Sequence, residues 1–112
     1  MEYLRAVLAV LLLTTFPNVY GGRCWDKVSD VDDCRVWAEQ GDSLAQDNLG
    51  VMYGKGQGVI QDYVMAHMYF NIAAVSGDEN AIKNRGIVEK KMTASQIAEA
   101  QKLAREWMRT HQ

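Results

Sequence analysis

Apolar residues recur every three or four positions along two stretches of the chain. Residues with this spacing share one face of an α-helix, so each stretch predicts an amphipathic helix. The first stripe consists of Ala45, Leu49, Met52 and Tyr53, and the second of Ala66, Tyr69, Phe70 and Ala73. We predict helices over 43–53 and 63–76 whose apolar faces pack together. Gly50 and the pair Ala73-Ala74 lack bulk, which allows the two helix axes to approach closely.

Polar residues and glycines predict where these two helices begin and end. Asp42 and Asp62 can cap the N-termini, because an aspartate side chain accepts a hydrogen bond from a free backbone N–H of the first turn. The glycine-rich segment 54–58 ends the first helix and Gly77 ends the second, since glycine adopts positive φ angles without strain. The sequence therefore predicts a unit of two helices joined by a short turn.

The chain repeats itself at a shift of 36 residues. Between positions 38 and 50, six of thirteen residues are identical in the second copy, and all six are small or polar. The identical pairs are Ala38 and Ala74, Gly41 and Gly77, Asp42 and Asp78, Ala45 and Ala81, Asn48 and Asn84, and Gly50 and Gly86. A repeat of this period without strand-like alternation predicts an α-solenoid of stacked helix pairs. Arg85 stands where the first copy has Leu49, so we expect the array to end in the second copy.

A further helix is predicted near the end of the chain. Thr93 followed by Gln96 has the spacing of a capping box. An apolar stripe of helical period follows, formed by Ile97, Ala100, Leu103, Ala104, Trp107 and Met108. Such a helix would cover the last repeat, and its expected target is a second stripe on the preceding helix, formed by Met65, Met68, Ile72 and Val75. The alternative is that this stripe is exposed and binds a partner or a second copy of the chain.

The repeated unit resembles the Sel1-like repeats, which are helical relatives of the tetratricopeptide repeats. The resemblance rests on 38–42, 48–53, 56–59 and 61–63, followed by alanines and a Gly-Asp pair. The positions that carry it are Ala45, Leu49, Gly50, Tyr53, Gly56, Gly58, Asp62, Ala66, Ala73, Ala74 and Gly77. It implies an all-α fold, a short α-solenoid of helix-turn-helix repeats with a C-terminal capping helix. It also implies a function in protein or peptide binding.

The chain is divided accordingly into four segments. Residues 1–21 are assigned to a signal peptide and 22–37 to an N-terminal helical segment. The repeat region, one full repeat and a partial one, is expected over 38–90. The capping helix is expected over 91–112, where the tail resembles the closing helix of secreted bacterial members of the family.

The first 21 residues read as a secretory signal peptide. Arg5 precedes the apolar run 6–13, and Pro17 and the small residues Gly21 and Gly22 follow it. The run is shorter than the roughly 20 residues needed to cross a bilayer, which favours cleavage over a retained anchor. We therefore expect a periplasmic or secreted protein that meets the membrane only during export.

Export makes Cys24 and Cys34 a candidate disulfide, because paired thiols persist as disulfides in oxidising compartments. In one straight helix, ten residues would separate the two Cα atoms by about 15 Å, which is beyond bonding reach. A bridge therefore requires a break at 28–30; otherwise the thiols are unpaired or pair elsewhere. The spacing is not a recognised metal-ligand pattern, and no histidine lies near it.

Composition and charge exclude one class of partner. The chain of 112 residues has 12 Lys and Arg against 14 Asp and Glu, a net charge of −2, and 48% hydrophobic residues. A nucleic-acid partner is not expected, because there is no excess of positive charge to grip a polyanion. The length allows one small core.

No catalytic motif is present in the sequence. Neither Ser-x-x-Lys, Gly-x-Ser-x-Gly nor His-Glu-x-x-His occurs, and the glycines of 54–58 lack the Lys-Ser/Thr that completes a P-loop. His67 and the acidic run 30–33 are interpreted as structural. We expect no catalytic residue, cofactor or metal. The alternative is a small cell-wall-directed enzyme or ligand-binding protein, since some secreted cysteine-containing relatives are linked to penicillin binding; a polar pocket at His67 or the acidic run would favour it.

Candidate partner contacts follow from the solenoid prediction. If first helices of successive repeats line a concave face, their exposed polar residues are candidate contacts, together with the apolar stripe of the second helix. These candidates are Gln46, Asn48, Tyr53, Lys55, Met65 and Met68. Asn48 has a competing structural role, because its amide can hydrogen-bond the backbone of a neighbouring unit.

Overall fold

The computed structural model describes Cys24 and residues 30–111. Within this part the chain forms five α-helices and no strand, which confirms the all-α prediction. The helices are α1 (Val31–Glu39), α2 (Ser43–Lys55), α3 (Tyr63–Val75), α4 (Glu79–Glu89) and α5 (Ala94–Thr110). The signal peptide predicted over 1–21 lies outside the described residues.

The predicted caps begin the repeat helices. The carboxylates of Asp42 and Asp62 accept hydrogen bonds from the backbone N–H three residues on, at 2.9 and 3.1 Å. Asp78, the second copy of Asp42, caps α4 in the same way at 3.0 Å. The helix α2 ends two residues later than the sequence predicts, because the residue in the left-handed conformation is Gly56, with φ 70°, and Gly54 stays helical.

The helices α2 and α3 form the repeat, and their packing depends on the absence of a side chain at Gly50. A Cβ atom at this position would lie 2.5 Å from Cε1 of Phe70, so the aromatic ring occupies the space that any other residue would fill. Leu49 is fully buried in one apolar cluster with Tyr69, and Phe70 belongs to a second cluster with Val88 of α4. The second cluster therefore joins the two copies of the repeat.

The helix α5 covers α3, as predicted for a capping helix. Its Thr93 and Gln96 form the predicted capping box. Ala104 is buried in the same cluster as Met68 and Ile72, and the stripe residues around it pack on that cluster. Met68 is 6% exposed. The alternative, in which the stripe of α3 is an exposed surface for a partner or a homodimer, is therefore corrected, because α5 covers most of the stripe. Val75, at the end of the stripe, stays 68% exposed.

The predicted disulfide between Cys24 and Cys34 is present, with the two Cα atoms 4.7 Å apart. The two cysteines do not share one helix: Asp30 is an extended N-cap residue and α1 begins at Val31. Both cysteines are fully buried, and the carbonyl oxygen of Cys24 accepts a hydrogen bond from the Asn48 amide. The disulfide therefore connects Cys24 to α1, and the hydrogen bond connects it to α2.

Candidate functional site

A groove with a volume of about 150 Å³ opens between α2, α3 and α4. Among the described residues its lining is mostly apolar and includes two lysines and no carboxylate. The lining residues are Val51, Gly54, Lys55, Tyr63, Phe70, Asn84, Ile87, Val88 and Lys91. We call this surface the repeat groove.

The 36-residue repeat explains the composition of the repeat groove. Ile87 and Lys91 are the second copies of Val51 and Lys55, so equivalent positions of two successive units face the same space. In a solenoid each unit stacks on the next, which places equivalent side chains side by side. The groove is therefore a product of the repeat itself.

The floor of the groove is fixed by packing and its rim is open. Phe70 and Val88 are almost completely buried, whereas Ile87 is 57% exposed at the rim. The ammonium group of Lys91 lies 5.9 Å from the centre of the Tyr63 ring, within the range of a cation–π contact. The amide of Gln61 donates to the carbonyl oxygen of Gly54 at 2.9 Å and so holds the wall between α2 and α3.

A buried polar pair joins the two repeats beside the groove. The Asn84 amide donates to the Asp47 carboxylate at 3.0 Å, and Asp47 is almost completely buried. Burial raises the pKa of Asp47, and the hydrogen bond from Asn84 opposes this effect. The pair fixes α4 against α2, and Asn84 reaches the groove lining.

The predicted polar contact residues of α2 differ from one another in exposure and in the hydrogen bonds they form. Gln46 is only 1% exposed and its amide donates to the carbonyl oxygen of Ala38 at 3.1 Å, which corrects the expectation that it is a surface residue. The cause is α1, which packs on the side of α2 that carries Gln46. Asn48 takes the structural role described above through its bond to Cys24. Lys55 is exposed and lines the repeat groove.

The remaining predicted contacts lie away from the groove lining. The Tyr53 ring stacks on the Tyr69 ring with centroids 5.9 Å apart, and its hydroxyl accepts a hydrogen bond from Arg35 at 3.1 Å. Burial raises the pKa of Tyr69 to about 12. Met65 is half-buried against the core cluster, and Met68 is covered by α5 as described.

The sequence motifs do not predict two of the groove residues, Ile87 and Lys91. Both lie beyond the thirteen positions over which the identical pairs of the repeat are counted, and neither resembles a catalytic or ligand-binding motif. The 36-residue shift contains the signal, because it aligns Val51 with Ile87, a conservative pair, and Lys55 with Lys91, an identical pair. Both residues are found when the two copies are compared beyond positions 50 and 86.

The surroundings of His67 do not form a pocket with convergent polar groups. The imidazole is fully buried in α3, and its Nε2 atom lies 2.8 Å from the Glu89 carboxylate, while Nδ1 is enclosed without a hydrogen-bond partner. A buried imidazole with one paired nitrogen is inaccessible to a substrate. His67 is therefore a structural link between α3 and α4.

A surface depression does lie at the acidic run, but its carboxylates are already engaged. Asp30 accepts a hydrogen bond from the backbone of Asp32 as the cap of α1, and Asp32 pairs with Arg35 at 3.2 Å. The described residues that line the depression include no histidine, cysteine or serine. Among the described residues no group of three or more His, Cys, Asp or Glu is placed to hold a metal ion. None of the described helices combines the length and apolarity needed to cross a membrane.

The stacked helix pairs and the groove between their equivalent faces define an α-helical repeat protein. Residues 43–78, which cover α2, α3 and the turn after them, match the family model of the Sel1 repeat. The structure is similar to the crystal structure of a protective antigen present in uropathogenic Escherichia coli strains, which displays an SLR fold. The TM-score is 0.70 at 38% sequence identity.

The similarity to this antigen covers 72% of the present chain and 18% of the antigen chain, so the present chain corresponds to a small part of that protein. No curated protein matches the sequence. On the family match and the structural similarity, the chain belongs to the Sel1-like repeat family, and its fold is an α-helical repeat solenoid.

Proposed function

We propose that the chain is an exported, non-enzymatic module that binds a protein or peptide partner in the repeat groove. The observation that carries this proposal is the lining of the groove by equivalent positions of two successive repeats. A mostly apolar concave surface with a few polar groups has the character of a binding site. Membership in the Sel1-like repeat family supports protein–protein interaction as the general role.

The groove supports binding better than catalysis. The described residues of its lining include no histidine, cysteine, serine or carboxylate, so they offer no nucleophile paired with a base in the manner of hydrolytic enzymes. The two places that would favour a cell-wall-directed enzyme, His67 and the acidic run, are occupied by structural contacts. We therefore keep the interaction module as the proposed function.

Export to the periplasm or beyond is part of the proposal. It is supported by the signal peptide predicted over 1–21 and by the disulfide, since stable disulfides are typical of oxidising compartments. The test is to express the chain from Met1 in a bacterial host and to measure the mass of the protein in each fraction. We expect a disulfide-bonded chain cleaved near residue 21 in the periplasm. A full-length, reduced chain in the cytoplasm would contradict this expectation.

Partner binding is tested by photo-crosslinking in the exporting cell. A photoreactive amino acid is placed at position 87, on the rim of the repeat groove, and in a matched variant at position 102, an exposed site on α5. We expect a discrete crosslinked product from position 87 and none from position 102. Equal products from both positions, or none from either, would refute the groove as the binding surface.

A further inference from the structure

We propose that the repeat groove binds an extended peptide segment in which a bulky apolar side chain stands beside a carboxylate. This inference rests on the proposed function and specifies the chemistry of the partner. It depends on three properties of the groove: its volume, its two lysines, and a described lining that contains no acidic residue.

The volume of the groove is suited to one apolar side chain. Apolar cavities of about 150 Å³ bind a benzene ring, and the repeat groove has about this volume. Val51 and Phe70 belong to the apolar cluster beneath it, and Ile87 remains exposed to water at the rim. A leucine, isoleucine or phenylalanine side chain of a partner would fill the space and cover Ile87.

The charges of the groove are suited to a carboxylate. Lys55 and Lys91 both line the groove, and neither forms an ion pair with a carboxylate of the described residues. The nearby acidic residues are engaged elsewhere, Asp47 with Asn84 and Glu89 with His67. The two ammonium groups form a local positive patch on a chain whose net charge is −2.

A structural role for the lysines does not remove this patch. Lys55 lies in the last turn of α2, where a positive charge stabilises the helix C-terminus. Such an interaction leaves the ammonium hydrogens exposed to solvent and able to bind an anion. Lys91 lies beyond the end of α4, and its contact is with the face of the Tyr63 ring, which does not neutralise its charge.

An extended peptide fits this arrangement better than a compact small molecule. The apolar space accommodates one side chain, so most of the ligand lies along the surface of the helices. A chain segment can place one side chain in the groove and a neighbouring carboxylate, from Asp, Glu or the C-terminus, against the ammonium groups. Charge-assisted hydrogen bonds to a carboxylate are stronger than neutral ones, which would favour acidic sequences.

The test begins with a random heptapeptide display library selected on the disulfide-bonded chain. We expect enrichment of peptides in which Leu, Ile or Phe stands next to Asp or Glu, or near a free C-terminal carboxylate. The enriched peptide is then synthesised with a fluorescent label in two forms, one with the acidic residue and one with the corresponding amide. We expect the amide form to bind at least tenfold more weakly in fluorescence polarisation.

Protein variants locate the interaction on the groove. Lys55→Gln and Lys91→Gln should each weaken binding of the acidic peptide at least fivefold and leave binding of the amide peptide nearly unchanged. Lys90→Gln and Lys102→Gln are matched controls, because they remove the same charge from exposed positions outside the groove lining. They should change the affinity less than twofold. Thermal unfolding of each variant checks that the fold is intact.

The outcomes separate the inference from the proposed function. Enriched peptides that lack carboxylates, or that bind the groove variants and the controls equally, would overturn the inference and leave partner binding in place. A crosslink at position 87 without any enriched peptide would also overturn it, since the partner would then present a folded surface. Failure of both experiments would overturn the inference and the proposed function together.

Discussion

Adding a single methyl group at Gly50 should destabilise the protein, although alanine is the better helix former. In Gly50→Ala the new Cβ would lie 2.5 and 2.6 Å from two ring carbons of Phe70. These are distances that real Cβ contacts do not reach, so the ring or the helix must move. Phe70 is only 4% exposed and is packed between the two repeats, so the ring has little room to move away.

The magnitude follows from two opposing effects. Replacing glycine by alanine inside a helix is worth about 1 kcal/mol in favour of folding. Forcing a methyl group into a packed core costs about 1–3 kcal/mol, and a contact with a buried aromatic ring belongs at the upper end. We therefore expect a net loss of about 1–2 kcal/mol, or a Tm lowered by about 4–8 °C for each kcal/mol. Gly50→Val should lose more, because its Cβ carries two further methyl groups in the same confined space and valine is a poorer helix former than alanine.

The repeat supplies the matched control. Gly86 is the second copy of Gly50, it lies inside α4, and a Cβ there meets no described atom within 4 Å. Gly86→Ala should therefore stabilise the protein by about 1 kcal/mol. Urea denaturation followed by circular dichroism gives both free energies. If Gly50→Ala and Gly86→Ala stabilise the protein equally, the Phe70 ring does not pack against Gly50 as described.

A double-mutant cycle isolates the contact. In the background Phe70→Leu the shorter side chain leaves space above Gly50, so Gly50→Ala should become neutral or stabilising. The coupling free energy between the two positions should be about 1–3 kcal/mol, in the range for residues in direct contact. Additive effects would show that the cost of the methyl group arises elsewhere.

Three further predictions concern the disulfide and two titrating groups. Cys34→Ser removes the disulfide that closes a loop between residues ten positions apart, which should lower the free energy of unfolding by about 3 kcal/mol. An unchanged midpoint of the urea transition would contradict this. The hydrogen bond to Glu39 raises the pKa of His111, so its stabilisation is complete below pH about 6.5 and is lost as the pH rises through the raised pKa. The Tm difference between the wild type and His111→Gln should therefore shrink between pH 6 and 8.5, and a constant difference would refute the ion pair. Burial raises the pKa of Asp47, so the free energy of unfolding that this group contributes falls as the pH rises above about 4. Asp47→Asn keeps the acceptor for Asn84 and cannot ionise. In thermal melts from pH 4 to 7, the variant should therefore lose less stability with rising pH than the wild type.

Most of the fold can be predicted from the sequence because its local signals agree with one another. Asp42, Asp62 and Thr93 have the side chains that helix N-termini require, and each caps the helix that the apolar spacing predicts. The 36-residue repeat adds the information that two such units stack. Periodicity, capping and repetition are local or regular properties, so a single sequence is sufficient to detect them.

The position of Gln46 could not be predicted, because it depends on an element outside the repeat. Five residues of α2, from Ala45 to Gly50, are buried although they lie on different faces of the helix. The inner helix of a solenoid contacts neighbours on more than one side, so its polar residues are enclosed as well as its apolar ones. Gln46 is accommodated because the backbone of α1 supplies an acceptor at Ala38, a contact that the sequence does not reveal.

The groove was only partly predictable for the same reason. The sequence predicts Lys55 as an exposed polar residue of the first repeat. Whether Ile87 and Lys91 line the groove depends on how closely the second repeat stacks on the first. That distance is set by the burial of Phe70 and Val88 and by the bond between Asp47 and Asn84. These are contacts between residues far apart in sequence, and the 36-residue repeat aligns the two units without giving the distance between them.

The repeat groove is tested most directly as the binding surface by an amide NMR titration of the disulfide-bonded chain with the acidic peptide enriched by display. We expect the largest chemical-shift changes to fall on the repeat groove, at Val51, Ile87 and Lys91, and Lys91→Gln to reduce them at equal peptide concentration. Changes confined to α1 and α5, or no change at a saturating concentration of peptide, would contradict the claim that this groove is the binding surface.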